Sequence, residues 1–199
     1  LMRFLGPKLS LPVPLPVKQA GVLQVYTSSK RDNDVRETWL GFDQENQQMI
    51  ADQLGQFLNE LHHIDTSELK WEVPLTLAPV TRETWLDMFE RIVEKVYPLL
   101  LPHQIDWVEG LFDPALGEVD FFDFHSSLIH GDLSPYHILY LPDASALNGV
   151  IDFGVAGLGD PATDIGSLIN YYGETLIGKI HGTYPDLDRL LPRARFYAQ

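Results

Sequence analysis

Three short apolar runs in the second half of the chain limit its fold more than any other feature. They are SLIH (Ser127–His130), HILYL (His137–Leu141) and GVIDF (Gly149–Phe153). Each is rich in Ile, Leu and Val and too short for a stable helix, so each reads as a strand. The last two flank the polar stretch PDASALN and read as the arms of an antiparallel hairpin. In such a hairpin the residue entering one strand lies near the residue leaving the other. His137 enters and Asp152 leaves, so both fall at the open end, with Asp132 in the loop just before it. Two carboxylates and an imidazole gathered there can hold a divalent cation and still leave one acid to take a proton. Either aspartate alone would read as a turn or cap residue. Both together, one after His-Gly and the other before Phe-Gly, read as chemistry.

The rest of the chain is mostly helical by periodicity. A helix from Asp43 to His63 carries Ile50, Leu54, Phe57, Leu58 and Leu61 on one face. A second, Thr81 to Leu100, has Thr81 as N-cap and Trp85, Met88, Phe89, Ile92, Val93 and Val96 as its inward face. A shorter one, His103 to Phe112, carries Trp107. Asp160-Pro161 opens another helix, with Asp at the N-cap and Pro at the first helical position. Ile165, Leu168 and Ile169 point inward and Gly173 ends it; a last helix starts near Pro185. Upstream, Leu1 to Leu5 reads as the tail of a helix. LSLPVPLPV reads as extended, because each proline disfavours helix in the residue before it. Gly21 to Tyr26 is a short strand, and SSKRDNDVRET a loop.

Composition narrows the function classes. The chain has 199 residues, 45% of them hydrophobic, enough for one sizeable core. Its 28 acids against 14 bases give a formal net charge of -14. Such a surface repels phosphate backbones, which argues against nucleic acid as a partner, and it favours a cationic small molecule. There is no cysteine, which removes disulfides, thiolate catalysis and cysteine-ligated zinc and fits a cytoplasmic protein. No apolar run is long enough to span a bilayer. The N-terminal stretch, broken by Pro7, Pro12, Pro14 and Pro16, does not read as a signal peptide. The first residue is Leu rather than Met, and the chain is read as a piece of a longer protein. His62, His63, His103, His125 and His181 show no metal-ligand spacing and read as packing or surface residues.

HGDLSPYHIL and VIDFG resemble the catalytic loop and metal-binding motif of the aminoglycoside phosphotransferase family, whose fold is protein-kinase-like. GLGDPATDI and QLGQFLNELHHID extend the resemblance over roughly residues 43–199, with a weaker match in LSLPVPLPV. It implies an α+β chain that is mainly the helical C-terminal lobe with a short catalytic hairpin, the nucleotide lobe being largely absent. Residues 1–27 would be a remnant of the N-terminal lobe and hinge, and 28–199 the helical lobe. The implied activity moves the terminal phosphate of ATP or GTP, with Mg2+, to a hydroxyl of a small molecule, an aminoglycoside above all. A macrolide, homoserine or another small alcohol is the alternative acceptor, and a catalytically silent binding module the alternative class. Carried over by position, Asp132 is the catalytic base, and His137 and Asp152 are the metal ligands. His130 packs under the loop and Asp164 hydrogen-bonds the loop's backbone. Glu174 is the candidate for holding a substrate ammonium, and Tyr172, beside Tyr171, for walling the pocket.

Three features depart from the family pattern. His137 stands where most members have Asn, which resembles the 2''-aminoglycoside phosphotransferases and the macrolide kinases. Val155 stands where many have a further Asp. No phosphate-covering glycine loop and no phosphate-anchoring Lys paired to a helix Glu is found in this chain. GVAGLG (Gly154–Gly159) follows the metal motif and precedes a helix, the wrong context for one.

Overall fold

A computed structural model describes residues 1–19, 22–26, 33–34, 39, 41–68, 81–141 and 146–199. Gly21, most of the SSKRDNDVRET segment, the 27/28 boundary and residues 142–145 of the hairpin turn lie outside the described residues.

The chain opens with a helical turn, α1 (Met2–Leu5), followed by the extended proline-rich segment. β1 (Leu15–Gln19) then pairs antiparallel with β2 (Val22–Tyr26). The loop reading of the next segment needs one correction. Asn33–Asp34 forms a two-residue strand, β3, on the outer edge of the catalytic hairpin, opposite Tyr140 and Leu139. A two-residue edge strand leaves no hydrophobic alternation to read.

Helix α2 (Gln44–His62) follows the sequence closely. Asp43 caps it by accepting from the backbone N–H of Asn46 at 2.8 Å. Ile50, Leu54, Phe57, Leu58 and Leu61 are all buried, each contributing about 1.5–3 kcal/mol as apolar area removed from water. This stripe packs on the helix Glu174–Ile180 and on the strands Ser127–Ile129 and Ala146–Val150, and so forms the centre of the core.

The next two helices depart from expectation. α3 (Arg82–Lys95) starts at the expected Thr81 cap but ends at Lys95, with a separate helical turn at Tyr97–Leu99. None of its residues is fully buried, and Met88, Val93 and Val96 are exposed. The physical reason is partner size. α3 packs mainly on α4 (Pro102–Gly117), a helix it cannot enclose, so only Trp85, Leu86 and Phe89 join a small second cluster with Phe112, Phe122 and Phe196. α4 runs five residues beyond the expected Phe112, and its Trp107 is 60% exposed. Pro114 lies inside α4 but does not break it.

The catalytic segment forms two small antiparallel pairs. β5 (Ile138–Leu141) and β6 (Ala146–Val150) make a hairpin as expected, with Ile138 opposite Val150, but β6 begins three residues before the expected Gly149 and ends short of Asp152. β4 (Ser127–Ile129) pairs with β7 (Gly157–Gly159), a strand that the glycine-rich GVAGLG did not suggest. α5 (Ala162–Tyr172) begins one residue later than expected, after Pro161, while the Asp160 carboxylate accepts from the N–H of Ala162 at 3.0 Å. Gly173 ends it at φ 76°, and a helix absent from the sequence reading follows at once, α6 (Glu174–Ile180). The last helix, α7 (Leu187–Tyr197), packs tightly on α5. That approach requires Gly166, where a Cβ would come within 2.9 Å of the Ala194 carbonyl oxygen.

Candidate active site

The open end of the hairpin gathers the three groups expected there. The backbone N–H of Ile151 donates to the His137 carbonyl at 2.9 Å, closing the hairpin just where the two strands part. His137 Nε2 lies 3.5 Å from Asp152 Oδ2, and His137 Nδ1 lies 3.8 Å from Asp132 Oδ2. The imidazole is thus the hub, 16% exposed, between carboxylates that are 56% and 60% exposed. No cavity has to be opened for a ligand to reach either acid.

The ring is oriented by its own loop. His137 Nδ1 donates to the Asp132 carbonyl at 2.7 Å, and a carbonyl can only accept. In the neutral ring Nε2 therefore carries the lone pair, aimed at the same space as Asp152 Oδ2. One nitrogen and one carboxylate fit a divalent cation that takes its remaining oxygens from nucleotide phosphates and water, the usual manner for Mg2+. No group of three or more His, Asp and Glu that could hold a metal ion by itself occurs among the described residues. Asp152 itself has φ 61°, a left-handed backbone rare for a residue with a Cβ, costing about 1–3 kcal/mol and typical of ligand sites.

The loop carrying Asp132 is held from beneath. Asp164, on the first turn of α5, is fully buried. Its carboxylate accepts from the backbone N–H of His130 at 2.8 Å and of Gly131 at 2.9 Å, and from His62 Nε2 at 3.1 Å. Burial pushes this carboxyl up. The hydrogen bond and charge of His62, then the charge and backbone N–H of His130, outweigh it and hold the group below its ordinary range. His130 is buried too. Its Nε2 donates to the Ile151 carbonyl at 2.8 Å, its Nδ1 accepts from the Asp132 N–H at 3.3 Å, and its ring packs on Phe153. One imidazole thus ties the loop of Asp132 to the segment after β6 that carries Asp152. Gly131 has φ 82°, and a Cβ there would lie 3.0 Å from the Val155 carbonyl oxygen.

His62 corrects the reading of the other histidines as mere packing or surface. It is buried, donates to Asp164, and accepts at Nδ1 from the Tyr184 hydroxyl at 2.8 Å. Burial, with the charges of Asp186, Asp164 and Asp160, pushes that hydroxyl well above the ordinary phenol range, so it remains a donor. The sequence held a signal for this. His62 follows Leu58 by four residues and Leu61 by one, so it extends the apolar stripe of α2 as a polar member. A buried polar side chain requires a partner.

The two candidate substrate residues have other partners in this structure. Glu174 accepts a two-pronged ion pair from Arg195, at 2.8 and 3.1 Å, which lowers its carboxyl below the ordinary range. That pairing already satisfies the charge assigned to a substrate ammonium. Tyr172 packs its ring edge-on against Trp39 at 6.1 Å and joins the main core. A cavity of about 730 Å³ lies elsewhere, lined by His63, Asp65, His125, Tyr184, Asp186 and Arg193, and touches none of Asp132, His137 and Asp152. No described helix is long and apolar enough to cross a membrane.

Viomycin phosphotransferase of Streptomyces vinaceus is 35% identical over 57 residues, which span 28% of this chain and 20% of that protein. The solved GDP and kanamycin complex of APH(2")-IIia superposes with a TM-score of 0.82 at 24% identity, over 100% of this chain and 69% of that one. Macrolide 2'-phosphotransferase type I does so with a TM-score of 0.69 at 20% identity, over 99% of this chain and 67% of that one. At those identities the two structures establish a shared fold. The chain spans about two thirds of their length and its match a fifth of viomycin phosphotransferase. The sequence profile of the phosphotransferase enzyme family, APH, matches residues 1–197, and the chain belongs to that family.

Proposed function

We propose that this chain carries the catalytic part of a nucleotide-dependent O-phosphotransferase that modifies a small, cationic alcohol, an aminoglycoside antibiotic above all. The observation that carries the reading is the convergence of Asp132, His137 and Asp152 on one exposed hairpin end. Residues 1–27 are then what the chain contributes to the nucleotide-binding lobe and hinge, and 28–199 the helical lobe.

In this mechanism Asp132 orients the acceptor hydroxyl and takes its proton as the phosphoryl group arrives. A base placed this way contributes about 10²–10⁴-fold in rate. His137 Nε2 and Asp152 hold Mg2+, which when bound neutralises charge on the phosphates of ATP or GTP. The hydrogen bond from His137 Nδ1 to the Asp132 carbonyl couples the two duties: the residue that faces the metal also fixes the backbone of the base. Asp164 and His130 keep that backbone from moving during transfer. Nucleotide use places the reaction in the cytoplasm.

The net charge of -14 favours a polycationic acceptor over a neutral one. Kanamycin, present in one solved relative's complex, and viomycin, named in a curated relative, are the first acceptors to test. A macrolide is the second, since a macrolide phosphotransferase shares the fold and the His at position 137 resembles that group. The assay is phosphate transfer from ATP or GTP, read by mass shift, in the full-length protein with and without Asp132→Ala. Transfer should fall by at least about 10²-fold with nucleotide binding retained. Full activity in the variant would remove Asp132 from the role assigned to it.

A further inference from the structure

Asp160 sits at a junction that the proposed chemistry does not use. It lies between β7 and α5 and is buried. Besides the N–H of Ala162, its carboxylate accepts from Arg193 Nε at 2.7 Å, Arg193 NH2 at 3.3 Å and the Tyr197 hydroxyl at 2.9 Å. Arg193 and Tyr197 are four residues apart on α7 and so share a face. Gly166 lets that face approach α5, since a Cβ there would also lie 3.1 Å from the Cβ of Tyr197.

Tyr197 has two environments. Its ring stacks on Trp85 of α3, with centroids 6.0 Å apart and planes at 20°. Its neighbour Phe196 packs edge-on against Trp85 at 4.8 Å and Phe112 of α4 at 5.6 Å. The hydroxyl end points the other way, to Asp160. Burial, then the charge of Asp160 and the hydrogen bond to it, push this phenol above its ordinary range, so it stays a donor.

Asp160 in turn is linked to the catalytic loop along two routes. Through α5, its bond to the Ala162 N–H fixes the helix start, and Asp164, four residues on, holds the backbone of His130 and Gly131. Through β7, the residues just before Asp160 pair with β4, the strand that leads directly into His130.

We infer that Tyr197 is a positioning residue: its hydroxyl bond to Asp160 ties the α3–α4 unit to the loop that carries Asp132. Tyr197→Phe removes that bond and leaves the stacked ring. Arg193 remains to neutralise Asp160, so the variant keeps its fold.

The test is residue-resolved amide hydrogen exchange on this chain. In Tyr197→Phe, the amides of residues 130–133 should exchange about tenfold faster while those in the centre of α2 keep their rates. Unchanged rates at 130–133, or a uniform rise across loop and core that marks a plain loss of global stability, would overturn the inference. A double-mutant cycle supplies the independent arm. Trp85→Leu should speed exchange at 130–133 in the wild-type background and add little in the Tyr197→Phe background. Additive effects would mean that α3 does not act through the hydroxyl. In the full-length enzyme, Tyr197→Phe should lower kcat and leave KM for the nucleotide unchanged. Only this last arm rests on the phosphotransferase reading; the exchange result stands or falls without it.

Discussion

Gly131 and Asp164 show how little tolerance the loop of Asp132 has. At φ 82° Gly131 occupies a conformation that costs an L-residue about 1–2 kcal/mol, and a Cβ would press on the Val155 carbonyl. Gly131→Ala should therefore lower Tm by about 2–6 °C and cut activity disproportionately, which thermal unfolding and the transfer assay would check together. Asp164→Asn weakens the buried hydrogen bonds from His62 and from the backbone of His130 and Gly131, a kind of change that costs about 1–3 kcal/mol. Its pH dependence is the sharper test. The folded carboxyl titrates below its unfolded value of about 3.9, so its contribution is complete above that value and is lost as pH falls through the lower, folded one. Wild type should lose stability steeply below about pH 4, and Asp164→Asn less steeply. Parallel curves from denaturant titrations at several pH values would count against it. Asp132, His137 and Asp152 were all legible in the sequence, because strand alternation and hairpin closure fix which residues meet at an open end. His62 was not, since two adjacent histidines carry no metal spacing and only the tertiary partner Asp164 gives one of them a task.

Elements were legible where local signals sufficed. Thr81 caps the helix it was expected to cap, and Asp43, where the other helix was expected to start, proves to be its cap, because capping depends on a side chain and a backbone N–H three residues away. Thr81→Ala should cost about 1 kcal/mol by removing the bond from the Thr84 N–H to the Thr81 hydroxyl, a loss measurable by thermal unfolding. Pairing between distant segments was not legible. β4 was read as a strand, but glycines at two of the three positions of its partner β7 erase any pattern there. The α5–α7 contact also depends on a residue with no signature of its own. Gly166→Ala would gain about 1 kcal/mol of helix propensity, yet force a Cβ to 2.9 Å from a backbone oxygen. Overpacking of that kind costs about 1–3 kcal/mol, so the net effect should be a lower Tm. A rise in Tm would show that α7 can yield there.

The molecule as a whole divides its apolar surface unequally. A main core runs through α2, the hairpin, α5 and α6, and a smaller aromatic cluster joins α3 and α4 to α7. The periodicity of α3 resembles that of α2, so the sequence could not rank the two helices. Burial depends on how many neighbours arrive, and among the described residues α3 packs mainly on α4, the turn after it and a few rings. Charge acts at this scale too. A molecule of net charge -14 should bind a polycationic acceptor less tightly as salt shortens the Debye length from about 30 Å at 0.01 M to about 8 Å at 0.15 M. Kanamycin KM should rise over that range while that of an uncharged acceptor stays level. A salt-independent kanamycin KM would leave the acidic surface with no part in recognition.

The sequence alone determined what depends on neighbours within a turn or a hairpin: the start of α2, the capped start of α3, the β5–β6 pair, and the meeting of His137 with Asp152. Those follow from backbone geometry and side-chain alternation over a few residues. Only the tertiary structure decided what depends on distant segments arriving together. Asp164 under the catalytic loop was legible through family likeness, but its bond to His62, 102 residues away, and the grip of Asp160 on α7 were not. A buried polar group is stable only beside its partner, and no local pattern records which partner that will be.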